Sequence, residues 1–187
     1  MDCSSLICPM VSSEQIKGKS PRESLTEMTV MMLPSDANPK GNVFGGVILK
    51  HVDLVAGLVA KRHARKTNCV TASIDRMTFH KPVYIGNALI LSARLNYVRR
   101  SSMEVEVTIE SENLDDGTRV RTGTAFVTMV ALDENGRPTE VPMLVLEKEE
   151  DRRHFRNGEA RMQVRLKEAG KLREKQSFNH SYFFVIS

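Results

Sequence analysis

The sequence has no long hydrophobic run and few cysteines. No apolar stretch reaches about eighteen residues, the length that a membrane-spanning helix needs. The N-terminus lacks the basic start and apolar core of a secretory signal, so we expect a cytoplasmic protein without a membrane partner. The three cysteines, Cys3, Cys8 and Cys69, are spaced like neither a zinc site nor a disulfide framework, which predicts reduced thiols.

Two common kinds of nucleophile are also missing. The motif Gly-x-Ser-x-Gly does not occur, and Cys69 has the pattern of a buried strand residue. We therefore expect neither a serine nor a cysteine nucleophile with a histidine base. Nothing in the sequence indicates a metal or a redox cofactor.

The composition is that of a globular protein, with 41% hydrophobic and 27% charged residues in a chain of 187. This length predicts one domain with tails. The net charge of +4 permits an anionic partner, and a phosphate-bearing small molecule satisfies it as well as a nucleic acid does. The first 24 residues are too short and unpatterned for a helix-turn-helix, so no nucleic acid is expected.

We divide the chain into three parts. Residues 1–24 mix Ser, Lys, Pro and Gly without periodicity and are predicted to be a disordered leader. The folded domain covers 25–146. Residues 147–187 form a charged extension, predicted to be a solvated helix interrupted near Gly158 and Gly170.

The domain has the pattern of one strand, one long helix and four further strands. The helix begins at Val47, where Ile48, Val52, Val55 and Val59 share one face, which Leu54 and Leu58 widen. Short breaks at 99–101 and 114–117 predict that the last three strands are antiparallel neighbours. The fold class is therefore α+β, with an antiparallel sheet wrapped around one helix. The predicted strands are 27–33, 70–79, 88–98, 102–113 and 118–132.

One carboxylate, Asp53, interrupts the apolar face of this helix. Because an unpaired carboxylate is costly to bury, Asp53 lies either at the edge of the apolar stripe, beside a basic residue, or in a site that uses it. A carboxylate in an apolar cleft suits a general base or a nucleophile. Upstream, 41-GNVFGG-46 is either an ordinary turn or a source of free backbone N–H groups for an oxyanion, with Gly45 and Gly46 allowing close approach.

Several stretches in the chain resemble one family. Asp-Ala-Asn and Gly-Asn-Val-Phe-Gly-Gly precede a helix with His-Val-Asp-Leu-Val-Ala-Gly, and the likeness continues through 69–83, 99–107 and 123–138. Over about 25–145 the chain resembles the hotdog-fold acyl-CoA thioesterases. The closest group contains the bacterial short- to medium-chain and the animal cytosolic brain-type acyl-CoA hydrolases.

The resemblance implies hydrolysis of acyl-CoA to a fatty acid and CoA. It implies that Asp53 is the catalytic carboxylate and that Asn38 of the partner subunit faces it. It also implies a homodimer joined by its sheet edges, and leaves open a trimer of dimers. Asn38 before Pro39 is equally an ordinary turn residue. The alternatives are a hotdog hydratase or dehydratase, which uses a histidine that is not present on the Asp53 face, and a non-catalytic acyl-CoA sensor.

A basic corner between two strands is the predicted contact for the CoA phosphates. In proteins of this kind the corner meets the nucleotide, and arginine binds two phosphate oxygens at once. A solvated corner is the other interpretation. His80 is interpreted as a structural or rim residue, and Arg62 and Arg65 as complements of the helix dipole. The corner consists of Arg99, Arg100, Ser101 and Ser102.

Overall fold

The computed structural model describes residues 17–65 and 67–183. This part of the chain forms a five-stranded sheet and two long helices, with 3-10 turns at Pro21–Glu23 and Pro34–Asp36. The predicted strands and helix are all present, with bounds that differ by a few residues. In chain order the elements are β1 (Thr26–Met31), α1 (Gly45–Ala64), β2 (Asn68–Phe79), β3 (Ala88–Arg99), β4 (Ser102–Glu112), β5 (Arg119–Leu132) and α2 (Glu149–Phe183).

The sheet is antiparallel throughout, with the order β1-β3-β4-β5-β2. β3, β4 and β5 are consecutive neighbours, because their connections are too short for anything but hairpins. β1 and β2 therefore form the two edges. One long helix packed on an antiparallel sheet is the predicted α+β hotdog arrangement, which the structure confirms.

The hydrophobic core lies between α1 and the inner face of the sheet. Val52, Val55 and Val59 are fully buried because they share the helix face that meets the strands. Each buried side chain of this size contributes about 1.5–3 kcal/mol, which anchors α1 to the sheet. Alternate residues of β4 supply the facing surface, namely Met103, Val105, Val107 and Ile109, all buried.

The prediction that Leu54 and Leu58 widen the core face is wrong. Their exposed fractions are 50% and 47%. Leu54 follows Val52 by about 200° of helix rotation, so it points away from the sheet. Small residues, Ala56 and Ala60, take the core positions instead and let the helix lie close to the strands.

The second helix, α2, is continuous from Glu149 to Phe183, so the predicted interruptions at Gly158 and Gly170 are wrong. Gly158 is buried against β3 and β4. A Cβ added there would lie 2.7 Å from the Cβ of Tyr97, so this glycine serves close packing rather than a break. Around Gly170 there is open space, and nothing in the structure explains a glycine there.

Residues 17–24, which the sequence assigns to a disordered leader, pack on the domain. Residues 1–16 lie outside the described part of the chain. Residues 17–24 are ordered on the domain: Lys19 pairs with Leu144 and Ser24 is fully buried. The ammonium group of Lys19 also donates to the carbonyl of His63 at 2.5 Å, at the end of α1, where the helix dipole favours a cation.

Among the helices of the described residues, none combines the length and the hydrophobicity that a membrane span requires.

Candidate functional site

Asp53 lies on the flank of α1, at the edge of the buried stripe. It is half-buried, and no basic side chain of the described residues lies within ion-pair distance of it. Its Oδ1 accepts a hydrogen bond from the hydroxyl of Thr71 on β2 at 2.5 Å. The carboxylate is thus oriented by a neutral donor and is not neutralised by a cation.

Thr71 reaches Asp53 because β2 contains a bulge. Thr71 pairs with Met129 and Ser73 pairs with Thr128, so Ala72 is an extra residue between them. Met129 and Thr128 are adjacent in β5 and face opposite sides of the sheet, and their partners on β2 do the same. Simple alternation would put Thr71 on the same face as Ser73, away from α1. The sequence pattern alone therefore does not identify Thr71 as a contact of Asp53.

The start of α1 presents two unpaired backbone donors. Phe44 is the N-cap residue and provides no side-chain cap. Val47 N–H donates to the carbonyl of Phe44 at 2.9 Å, whereas the N–H groups of Gly45 and Gly46 have no acceptor among the described residues. Such donors, at the positive end of the helix dipole, favour an oxyanion.

Glycine at position 45 is not required by packing within the chain. A Cβ added there would meet only the Phe79 ring, at an ordinary 3.9 Å. At Gly46, by contrast, a Cβ would lie 2.5 Å from the Phe44 ring. Gly45 therefore leaves free space at the helix start, as a bound group would need.

A cleft of about 360 Å³ opens at this end of α1. Asn38 lines it together with Gly45, and its side-chain oxygen accepts hydrogen bonds from the N–H groups of Lys40 at 2.8 Å and Asn42 at 3.3 Å. Asn38 therefore does stabilise the turn, and only its Oδ1 takes part in these hydrogen bonds. No described residue accepts a hydrogen bond from its amide nitrogen, which leaves that group for another contact.

One chain does not bring Asn38 and Asp53 together. Asp53 is not among the residues that line the cleft. It lies two turns further along α1 than Gly45, a rise of about 12 Å. Asn38 and Asp53, which are predicted to act together, are therefore far apart within a single copy of the chain.

The histidines near this region have different surroundings. Burial lowers the pKa of His51, and the nearby Lys50 adds to the effect, so both favour the neutral ring. Its Nδ1 is buried and has no hydrogen-bond partner in the part of the chain that the structure describes. His80 is exposed and lines the cleft beside Lys81, at the rim as predicted. Burial also raises the pKa of the Cys69 thiol, which is typical of an unreactive cysteine.

The basic corner is the hairpin between β3 and β4. Arg99 and Arg100 are exposed, and Arg100 adopts a positive φ of 50° at the turn. Its Nε lies 3.6 Å from Glu140 Oε1, an exposed pair of small energetic value. The Ser102 hydroxyl donates to the carbonyl of Arg99 at 3.1 Å. The two guanidinium groups are thus accessible to an anion.

The sheet register places this corner near Asp53 rather than near the cleft. Ser102 pairs with Val130, which pairs with Val70, the neighbour of Thr71. Two strand spacings, about 10 Å, separate Ser102 from Val70. Arg62 serves a different purpose, because its guanidinium donates to the Thr26 hydroxyl at 2.9 Å and fastens α1 to β1.

Comparison with known proteins identifies the family. Residues 40–118 match the family model described as thioesterase superfamily. An uncharacterized acyl-CoA thioester hydrolase of Bacillus subtilis is 39% identical over 130 residues, which cover 70% of this chain and 75% of that protein. The chain belongs to the acyl-CoA thioester hydrolase family of the thioesterase superfamily.

Other members of the family differ in length. The cytosolic acyl coenzyme A thioester hydrolase of Rattus norvegicus is 41% identical over 140 residues, or 73% of this chain. The chain spans only 36% of that relative. A crystal structure of an apo-hexameric acyl-CoA thioesterase superimposes with a TM-score of 0.78 at 40% identity, covering 82% of this chain and 98% of that one.

Proposed function

We propose that the protein is an acyl-CoA thioesterase that hydrolyses fatty acyl-CoA to a free fatty acid and CoA. The observation that carries the proposal is the Asp53 carboxylate, held by Thr71 on the flank of α1 without a cation beside it. The family of the chain supports the substrate class, since its relatives bear the name acyl-CoA thioester hydrolase.

In the proposed reaction Asp53 either takes a proton from water or attacks the thioester carbon itself. The carbonyl oxygen gains negative charge, which the N–H groups of Gly45 and Gly46 of a second copy stabilise, since the same chain's Gly45 lies about 12 Å from Asp53 along α1. As a base, Asp53 passes the proton from water to the sulfur when the C–S bond breaks, so that CoA leaves as the thiol and the water oxygen stays on the acyl carbon. As a nucleophile, Asp53 forms a mixed anhydride while the CoA thiolate takes a proton from solvent, and water then cleaves the anhydride to the free acid and the Asp53 carboxylate. Asn38 of a second copy orients the water or the thioester with its free amide nitrogen. No metal or redox cofactor takes part.

We infer a homodimer as the active unit, with a trimer of dimers as its higher assembly. The exposed edge of β2 and the separation of Asn38 from Asp53 support the dimer. The hexameric state named for the similar crystal structure supports the trimer of dimers. We place the protein in the cytoplasm, as the name of the rat relative suggests.

The test is incubation with a panel of acyl-CoAs of increasing chain length and a reagent that reports free thiol. Thiol release that follows enzyme concentration supports the proposal. Binding of acyl-CoA in calorimetry without thiol release would identify a sensor instead. Hydration of an enoyl-CoA without thiol release would identify a hydratase.

Thr71→Val is expected to lower kcat by about tenfold and to leave KM nearly unchanged, because a hydrogen bond that orients a catalytic group acts mainly in the transition state. Thr71 is a positioning residue, since it touches Asp53 and not the reacting atoms in this arrangement. The Thr71→Ser variant keeps the hydroxyl and should restore most of kcat. An equal loss in both variants would mean that Thr71 acts through packing.

Arg100→Ala is expected to raise KM for acyl-CoA by about three- to tenfold, because charge-assisted hydrogen bonds to phosphate are lost. Short thioesters without the nucleotide should react at the parental rate. Arg119→Ala is the matched control, since Arg119 is also exposed and also pairs with a glutamate, Glu112, at 3.1 Å. Equal losses on both classes of thioester would contradict a phosphate contact.

A further inference from the structure

The strand β2 contains a second bulge, at Asp75. Its pairing with β5 passes from Ile74 directly to Arg76, so Asp75 is an extra residue in the same way as Ala72. Together the two bulges lengthen β2 by two residues relative to β5. Two residues correspond to about 7 Å of strand, so the bulges decide which residue of β2 lies opposite Asp53.

Without the bulges, a different residue of β2 would face Asp53. Regular antiparallel pairing continued from Met77 would place Ser73 opposite Met129. The bulges place Thr71 there instead, and its hydroxyl donates to the Asp53 carboxylate. Loss of one bulge alone would turn Thr71 to the other face, because a single extra residue inverts the alternation of side chains. The contact that orients Asp53 therefore depends on both bulges.

Core packing does little to fix this course of β2. Every residue of β2 is exposed or half-buried, whereas most residues of β3 are buried. Within one chain β2 is also an edge strand of the sheet. Because the register of a weakly buried edge strand can slip, side-chain contacts across the bulges are needed to hold it.

The carboxylate of Asp75 makes such contacts. Its Oδ1 accepts a hydrogen bond at 2.7 Å from the hydroxyl of Ser73, which lies between the two bulges. Its Oδ2 accepts one at 3.0 Å from the hydroxyl of Thr128 on β5. Thr128 is buried and is the residue that pairs with Ser73. One carboxylate thus ties the bulged segment of β2 to the neighbouring strand.

Arg165 on α2 completes this group from the outer face of the sheet, which is the face away from α1. Its Nη1 donates to Asp75 Oδ2 and to the hydroxyl of Thr128. Its Nη2 lies 2.9 Å from the sulfur of Met162, which is buried. The side chains of Arg165 and Asp75 are only 22% and 23% exposed, so solvent screens their ion pair less than a surface pair.

We propose that Asp75 and Arg165 are positioning residues for hydrolysis. From the outer face of the sheet they hold the bulged course of β2, and this course holds Thr71 against the Asp53 carboxylate on the inner face. The inference rests on the proposed function, in which Asp53 acts on the thioester. The helix α2 then contributes to the orientation of Asp53, although it lies on the opposite side of the sheet.

Arg165→Met is expected to lower kcat by about three- to fivefold and to leave KM nearly unchanged, because a less well oriented Asp53 acts mainly on the transition state. Arg165→Lys keeps a cation beside Asp75 and should restore most of kcat. Asp75→Ala removes the contacts to all three partners and should lower kcat by about tenfold, as Thr71→Val does. The thiol-release assay measures these rates.

Coupling to Thr71 separates positioning from general packing. In the Thr71→Val background, Arg165→Met should lower kcat no further, because the hydroxyl that the bulges position is already absent. His154→Ala is the matched control, since it removes another contact of α2 with the sheet, from His154 Nδ1 to Glu106 Oε2 at 3.1 Å, away from β2. This control should lower the melting temperature and leave kcat unchanged. An equal loss of kcat from Arg165→Met in both backgrounds would overturn the proposal.

Hydrogen exchange gives a second readout that needs no turnover. The amides of 72–76 should exchange faster in Arg165→Met than in the parent, and at the parental rate in His154→Ala. Unchanged exchange in Arg165→Met would overturn the proposal, because another contact, such as pairing of β2 with a second copy, would then fix the bulges. A parental chain that releases no thiol would contradict the proposed function instead, and the exchange rates would still test whether Arg165 supports β2.

Discussion

The Asp53→Asn variant is expected to fold like the parent and to release CoA at least about a hundredfold more slowly, because the group that activates water or attacks the thioester is gone. The amide oxygen of asparagine can still accept the hydrogen bond from Thr71, so the side chain should keep its position. The thiol-release assay measures the rate, and thermal unfolding measures the stability.

Two further variants make this result specific. Asp53→Glu keeps the carboxylate but moves it by one methylene, so it should retain more activity than Asp53→Asn. Asp133→Asn changes a half-buried aspartate just after β5 and should leave the rate unchanged, because the asparagine oxygen can still accept the hydrogen bonds from the N–H groups of Asn135 and Arg137. If Asp53→Asn turned over acyl-CoA within about a factor of ten of the parent, Asp53 would be neither base nor nucleophile.

The sheet and the central helix could be predicted because local patterns determine them. Alternation of apolar and polar residues marks β4, and the three-and-four spacing of Ile48, Val52, Val55 and Val59 marks α1. Tight turns then leave consecutive hairpins as the only arrangement of β3, β4 and β5. All of these signals are short-range, and each agrees with the final fold.

The packing of the second helix was harder to predict from the sequence, because it depends on charged residues. Glu104 alternates with apolar residues in β4 and looks like a solvent-facing position, yet it is 2% exposed under Arg161. A sequence pattern of charges predicts exposure unless the partner on another element is known. The same applies to Gly158, a helix breaker by propensity whose missing side chain lets α2 approach Tyr97.

In the site, too, some residues could be predicted from local sequence patterns and others could not. Asp53 and the pair Gly45–Gly46 stand out in sequence, because a lone carboxylate in an apolar stripe and a glycine pair before a helix are both unusual. Thr71 does not stand out, since only the bulge at Ala72 turns its hydroxyl toward α1. A bulge inserts one residue without a clear sequence signal, so period-two reasoning assigns the wrong face beyond it.

Mixing two inactive variants is expected to restore about a quarter of the parental activity, if each site is shared between two chains. This prediction rests on the distance between the two residues within one chain. Asn38 lines the cleft at the start of α1, and Asp53 lies about 12 Å further along that helix. A chain with Asn38→Ala and a chain with Asp53→Asn should each be nearly inactive alone. Together they form mixed dimers with one doubly damaged site and one intact site.

The expected fraction follows from symmetry. With unbiased refolding about half of the dimers are mixed, and each mixed dimer has one intact site of two. The double variant, Asn38→Ala with Asp53→Asn in one chain, is the control. A mixed dimer of this variant with a parental chain should have no intact site, because each shared site then contains one damaged residue, whereas sites within one chain would leave the parental site active. Mixed with either single variant, the double variant should restore nothing. Different affinity tags on the two chains allow mixed dimers to be isolated. Isolated mixed dimers without activity would mean that Asn38 and Asp53 act within one chain, because only then does every site in the mixture carry a damaged residue.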